Sequence, residues 1–221
     1  MHYPINLKLS GRRVFIIGGG RVAQRRVDTL LKTEARITVI APALTDRLAQ
    51  YAADGKFCFI SDIYRPGAIT ALAEEYGEWP RLVIIATPDE TANGQAADEA
   101  HSKNILVNMA APPMEESDFI VPSHIERGQL LITIATGGLS PAFSRFVRLQ
   151  LEKSGLEEFA DFLRRLSPLR RRVRAEIEPE KREQFWRSVL TEELASMIQS
   201  RNFDSAEASI ENALGRFGTK P

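Results

Sequence analysis

The sequence predicts an α/β fold in its first half and a helical one in its last third, and three features carry that prediction. From Arg13 to about Asn108, short apolar runs alternate with longer amphipathic stretches, the rhythm of parallel βαβ units. The first of these runs empties directly into Gly18-Gly19-Gly20. From Pro141 onward, apolar residues recur at three- and four-residue spacing, the period of helices.

The runs Val14–Ile17, Ile37–Ile40, Phe57–Ile60, Leu82–Ala86 and Ile105–Asn108 read as strands. Between them, Val22–Lys32, Thr45–Ala53, Ala68–Glu75 and Thr91–Lys103 supply helices that would cover both faces of a doubly wound, Rossmann-like sheet. Residues 1–113 are assigned to this domain. The rhythm then changes. Ala111-Pro112-Pro113 breaks regular structure, and Phe119–Val121 and Leu130–Thr136 read as strands joined through Glu126-Arg127-Gly128. Residues 114–150 form a separate segment, in which Ser140 is a good N-cap and Pro141 a good first helical residue. Residues 151–221 form a helical C-terminal domain, interrupted at Pro168 and Pro179 and loosened near Asn202. The two strands of the middle segment and the stripes Phe159, Phe162, Leu163, Leu166 and Phe185, Val189, Leu194, Ile198 offer more apolar surface than one small domain buries. A homodimer is therefore expected, with 114–150 as the dimerisation segment.

Composition excludes several classes of function. Across 221 residues, 29 Lys and Arg balance 29 Asp and Glu, so no global field draws the molecule to nucleic acid or anionic lipid. Basic residues are not interleaved with base-stacking aromatics, and no helix-turn-helix segment is visible. No window is apolar for the roughly 18 to 20 residues that span a bilayer, and the N-terminus lacks a signal-peptide core. The single cysteine, Cys58, builds no disulfide framework and reads as a small strand residue. A cytoplasmic protein is expected. His2, His101 and His124 are too scattered to read as a metal-ligand set, so no resident metal is assigned.

The sharpest chemical signal is Val14-Phe15-Ile16-Ile17-Gly18-Gly19-Gly20-Arg21-Val22-Ala23, a strand running through G-x-G-x-x-A into a helix. Gly18 permits the tight turn, Gly20 lets backbone approach a pyrophosphate, and Ala23 keeps helix and strand close. N–H groups of Arg21 and Val22 at the helix start would hold the phosphates. The bland alternative is a structural glycine turn. The second strand ends in Ala41-Pro42-Ala43 and lacks the usual acid for the ribose hydroxyls, so backbone near Pro42 and Ala43, or Arg21, must hold the ribose. NAD is the expected cofactor, and NADP is not excluded by charge. After the fourth strand, Thr87 and Asn93 could reach the nicotinamide side, while Asp89 or Thr91 simply caps the next helix. A second glycine loop, Thr136-Gly137-Gly138-Leu139-Ser140-Pro141, offers free N–H groups and a positive helix end to an anion, with Arg145 one turn on. A plain strand-to-helix turn is its other reading.

In this order, GGGRVAQRRVDTLL, VIIATPDETAN, Val107-Asn108, Phe119–Ser123 and ITIATGGLSPAFSR resemble the precorrin-2 dehydrogenase family, including the N-terminal half of siroheme synthase. The resemblance runs from Leu7 into the Phe185-Trp186 region and implies NAD-dependent oxidation of precorrin-2 to sirohydrochlorin, with ferrous iron as a further substrate in some members. It gives the second glycine loop a purpose: precorrin-2 carries eight carboxylates, and Asn108, Thr136, Gly137, Gly138, Ser140 and Arg145 would face it. The arginines at 164, 165, 170, 171, 172 and 174 read first as a solvated face paired with Glu157, Glu158 and Glu176.

One position departs from that family. Its members usually place an aspartate three residues after the residue equivalent to Asn108, and here Ala111 stands there. The acidic stretch Met114–Asp118 could instead send Glu116 or Asp118 into the cleft as base or transient iron ligand, or be a solvated turn. Loss of the aspartate motivates the alternative that the chain binds NAD or a tetrapyrrole with impaired or no catalysis.

Overall fold

The computed structural model describes residues 2–112 and 114–218, and contacts divide the chain into two compact units, Tyr3–Val121 and Pro122 onward. Pro113, read above as part of a break, lies outside the described residues.

In the first unit, β1 (Arg13–Ile17), β2 (Arg36–Ile40), β3 (Cys58–Ile60), β4 (Leu82–Ile85) and β5 (Leu106–Met109) form one parallel sheet in the order β3-β2-β1-β4-β5. The register places Ile17 opposite Ile40 and Ile85, and Ile85 opposite Met109, so the carboxyl ends of the inner strands share one edge. Helices α1 (Arg21–Leu30), α2 (Asp46–Ala53), α3 (Ala68–Tyr76) and α4 (Glu90–Ser102) connect the strands. Alternation along each strand separates two cores. Val14, Ile16, Val39 and Ile84 meet Ala23, Val27 and Leu48 on one face. Phe15, Ile17, Val83 and Ile85 meet Ile69, Ala96, Ala97 and Ala100 on the other. All five expected strands and four helices are present, with ends moved by one or two residues.

The second unit opens with an antiparallel hairpin, β6 (Ser123–Arg127) and β7 (Leu130–Ile134). Its turn places Gly128 at φ 58, in the left-handed region that favours glycine. The expected strand at Phe119–Val121 is therefore corrected to Ser123–Arg127. The residues just before it are occupied elsewhere, since Asp118 N–H donates to Val107 O at 2.9 Å on the free edge of β5. Helix α5 (Pro141–Leu151) follows, capped by Ser140, whose hydroxyl accepts from Phe143 N.

Helices α6 (Leu156–Glu176), α7 (Arg182–Val189), α8 (Glu192–Gln199) and α9 (Phe203–Gly218) surround a third core. Phe162, Leu169, Val173, Phe185, Ile210 and Leu214 are buried in it. The break expected at Pro168 does not occur: α6 runs through it. An interior proline removes one ladder bond and crowds the preceding turn, but Pro168 is exposed while its neighbour Leu169 is buried. Tertiary burial of the stripe outweighs the local penalty.

Candidate functional site

The glycine loop sits at the carboxyl edge of β1, where the strand order reverses between β1 and β4, the place at which open α/β sheets bind ligands. Its three glycines have three different reasons. Gly18 has φ 121, and a Cβ there would lie 2.4 Å from Ala86 O at the end of β4. Gly19 is pressed by the loop after β2, where a Cβ would meet Ala43 O at 2.0 Å. Around Gly20, its chain neighbours apart, no atom of the described residues comes within 4 Å of the same position. The fold requires the first two glycines, and the third faces open space.

The start of α1 differs from the other helix starts of this unit. Thr45 caps α2, and Asp89 caps α4 by accepting from Ala92 N at 3.0 Å. Glu99 of α4 serves α3 from across the fold, accepting from Gly67 N at 3.0 Å and Thr70 N at 2.8 Å. Helix α1 has no side-chain cap at Gly20 and no acid in its first turn. Its first ladder bond is Gln24 N–H to Gly20 O at 2.9 Å, so the N–H groups before it have no partner within the helix. An anion fits such an end, because the unpaired donors and the helix dipole act together. Arg21 is exposed, Val22 half-buried and Ala23 wholly buried against the sheet.

The loop after β2 completes this edge. Gly18 N–H donates to Ile40 O at 2.8 Å and Thr45 N–H to Gly19 O at 3.1 Å, while the Thr45 hydroxyl donates to Gln24 Oε1 at 2.7 Å. Pro42 and Ala43 are exposed beside the glycines, with no carboxylate between them. These residues fit a dinucleotide whose pyrophosphate lies over Gly20 and whose ribose is held by backbone.

Several predicted side chains have other duties. Asn93 is fully buried, and its Nδ2 donates to Thr87 O (3.1 Å) and Pro112 O (2.9 Å) while its Oδ1 accepts from the Thr87 hydroxyl (2.6 Å). The expectation that Asn93 reaches a nicotinamide is corrected: its amide is consumed in joining the loops after β4 and β5. Thr87 stays half-exposed at the carboxyl edge.

Asp118 is corrected as well. Its Oδ2 accepts from Val107 N at 2.8 Å and lies 3.1 Å from His101 Nε2. Val107 is two residues short of the carboxyl end of β5, so the carboxylate braces the sheet edge and does not project past it. Glu116 closes the 3-10 turn Met114–Glu116 and is exposed. Asn108 is 4% exposed, its Nδ2 donating to Phe119 O at 2.9 Å and its Oδ1 buried without a partner among the described residues. Ala111 is half-exposed.

In the second unit, the Thr136 hydroxyl bonds Ser140 O at 3.2 Å and accepts from Ser140 N at 3.3 Å, with Ser144 Oγ at 3.1 Å. Thr136 and Ser140 thus build the start of α5. Gly137 and Gly138 have φ 63 and 87, which explains the glycine pair as backbone geometry. Arg145 is exposed one turn on. Of the arginine group, Arg164 pairs with Asp161 (2.5 Å), Arg165 with Asp204 (2.6 Å) and Arg172 with Glu176 (3.0 Å) and Glu211 (2.9 Å). These are ordinary exposed pairs, but of the expected acids only Glu176 takes part in them, and two of the four partners, Asp204 and Glu211, come from α9. Among the described residues, no group of three His, Cys, Asp or Glu could hold a metal ion, and no helix is long and apolar enough to cross a membrane.

Fold and loop together define a dinucleotide-binding domain of the doubly wound class. A family model described as "Putative NAD(P)-binding" matches residues 5–123, more than half of the chain, and the protein belongs to that family. A second model, "Sirohaem synthase dimerisation region", matches residues 155–214 on α6–α9. The chain is 38% identical to siroheme synthase of Gluconacetobacter diazotrophicus over 73% of its length and 34% of the relative's. With siroheme synthase of Chromobacterium violaceum it shares 31% over 98% of its length and 44% of the relative's. It spans well under half of these relatives. A solved structure, "SirC, precorrin-2 dehydrogenase", superimposes with a TM-score of 0.73 over 96% of this chain and 100% of that one, at 22% identity, which shows a common fold.

Proposed function

We propose that this protein is an NAD-dependent dehydrogenase that oxidises precorrin-2 to sirohydrochlorin. The observation that carries the reading is the uncapped, acid-free start of α1 with open space at Gly20, in a chain whose relatives are siroheme synthases over 73% and 98% of its length. Bound NAD would supply the hydride acceptor. The chain's own part is to seat the pyrophosphate on the N–H groups of Gly20 to Ala23, to hold the ribose by backbone at Pro42 and Ala43, and to leave the half-exposed Thr87 beside the nicotinamide. In the second unit, the anionic tetrapyrrole would meet the Thr136–Pro141 loop and Arg145; in the first, Asn108 is the residue assigned to it. Positioning then supplies most of the rate. Ferrous iron would be a substrate only, and a cytoplasmic setting belongs to the same reading.

A homodimer belongs to the same reading. Leu139 in the loop before α5 is 92% exposed, Phe143 and Phe146 on α5 are 56% and 55%, and Leu131 on β7 is 48%, apolar side chains that a second copy would cover. One observation favours the alternative of a binding protein with impaired or no catalysis: Ala111 replaces the family aspartate, and Asp118 is tied to the edge of β5. A single experiment separates the readings. Purified protein mixed with NAD and precorrin-2 should raise absorbance at the wavelength of reduced nicotinamide. Tight NAD binding with no reduction would leave only the alternative.

A further inference from the structure

On the α1 side of the sheet, two buried polar atoms, Arg26 Nε and Asn108 Oδ1, have no partner among the described residues. The first is Arg26. Residues Gln24 and Asp28 face α2, through Thr45 at 2.7 Å and through Tyr51 and Arg47 at 3.0 and 2.9 Å. Ala23, Val27 and Leu30 face the sheet. At about 100° per residue, Arg26 then projects from the opposite flank of α1, away from α2 and toward the β4 side of the sheet. Its side chain is half-buried, its Nε is wholly buried without a partner, and among the described residues no acid neutralises it. Burial, with neighbouring Arg25, pushes the guanidinium below its ordinary value.

The second group is Asn108. It stands opposite Ile84, which belongs to the α1-side core, whereas Val107 and Met109 belong to the other. Its side chain therefore points to the same face as Arg26, and its Oδ1 is the buried atom without a donor. Phe119, whose carbonyl takes the Asn108 amide at 2.9 Å, packs into the α1-side core, while Leu106 on the same face of β5 stays 39% exposed. A desolvated, unpaired cation is costly, and a protein that keeps one normally pairs it with something.

We propose that the flank between α1 and β5 is a carboxylate subsite in which Arg26 anchors one acid group of the substrate. The proposal rests on the reading above that the substrate is a polycarboxylate tetrapyrrole. The guanidinium donates to the carboxylate, and a water carried with it donates one O–H to Asn108 Oδ1 and the other to the carboxylate, so every polar atom is satisfied. A carboxylate side chain from a second copy has the same chemistry, and the test separates the two sources.

The probe is uroporphyrin III, a stable octacarboxylate porphyrin, titrated onto the full chain by fluorescence quenching. Arg26→Ala should weaken its binding roughly tenfold to a hundredfold, Arg26→Lys should restore part of it, and NAD affinity by calorimetry should not change. With precorrin-2, KM should rise while kcat holds. Removing an unpaired buried charge should leave the free protein at least as stable, so a folded variant is expected. Unchanged porphyrin binding overturns the subsite. If light scattering then shows a smaller mass for Arg26→Ala, the carboxylate belongs to a second copy. Wild-type protein that binds NAD but no porphyrin would overturn the substrate reading itself, and the subsite with it.

Discussion

The Thr87 hydroxyl donates to Asn93 Oδ1 across 2.6 Å, and through the Asn93 amide it is joined to the Pro112 carbonyl, so the loops after β4 and β5 are clamped by one buried side chain. Asn93→Ala strips a donor from two carbonyls and an acceptor from a hydroxyl in a fully buried place. Each group left unsatisfied there costs about 1–3 kcal/mol, so urea unfolding should show a loss of about 2–4 kcal/mol. A loss below about 0.5 kcal/mol, the scale of ordinary surface changes, would mean the clamp carries no weight.

The glycines offer a sharper contrast. Gly20→Val should abolish NAD binding by calorimetry while the unfolding midpoint stays near that of wild type, because the added atoms enter open space. Gly19→Ala should instead destabilise the fold, since its Cβ would lie 2.0 Å from Ala43 O and backbone must move. Equal effects on both quantities would remove the division of labour.

Local pattern made the parallel sheet legible. Strand after strand of continuous apolar residues, each followed by a 3.6-period stretch, leaves few folds open, and the G-x-G-x-x-A turn marks its own place at the edge. Gly19 was missed because its constraint comes from Ala43, a contact made across the chain that no local spacing encodes. Phe119–Val121 read as a strand for the complementary reason: its apolar alternation suits one, yet the preceding Ser117 and Asp118 are already bound to β5. Likewise, nothing near Gly67 announces that Glu99, thirty-two residues on, supplies the anion for α3.

That distant anion makes stability depend on pH. Burial alone would push the Glu99 carboxyl up, but hydrogen bonds from the Tyr64 hydroxyl, the Thr70 N–H and hydroxyl and the Gly67 N–H outweigh it and hold the group below its ordinary value. A folded-state value below the unfolded one stabilises the protein above the unfolded value of about 4.3, and this contribution is lost as pH falls through the folded value. Unfolding followed from neutral pH down to about pH 3 should therefore steepen for wild type and flatten for Glu99→Gln. At neutral pH that variant should be about 2 kcal/mol less stable, the scale of a hydrogen bond to a charged group. Parallel curves would show that Glu99 does not titrate differently in the two states.

Pro168 tests whether α6 is held by its core stripe against its own sequence. The residue is exposed, so replacing it with alanine restores a ladder bond without opening a cavity. Pro168→Ala should raise stability by about 1–3 kcal/mol, up to the full cost of an interior proline. A decrease in the thermal midpoint would mean that the bend it imposes is needed to bring Leu169 and Val173 into the core.

Ala111 is where the chemistry is most exposed to test. Asp118 cannot easily replace the missing family aspartate, because its carboxylate already serves Val107 N–H at 2.8 Å and His101 at 3.1 Å. Glu116→Ala with Asp118→Ala should therefore lower stability by about 1–3 kcal/mol through the orphaned edge of β5, and should leave turnover of precorrin-2 within a small factor of wild type. A fall of about a hundredfold or more, the usual weight of a lost general base, would return one of these two carboxylates to the reaction. The converse change separates slow chemistry from rebuilt chemistry. Ala111 is half-exposed in the loop that follows the carboxyl end of β5, so Ala111→Asp should be accepted by the fold and set a carboxylate in that loop. If the protein works by positioning alone, the added base should raise kcat by at least about tenfold, with NAD affinity unchanged. A fall in kcat would instead mean that this cleft has been shaped around the alanine, and that a carboxylate there repels the polyanionic substrate it is supposed to serve.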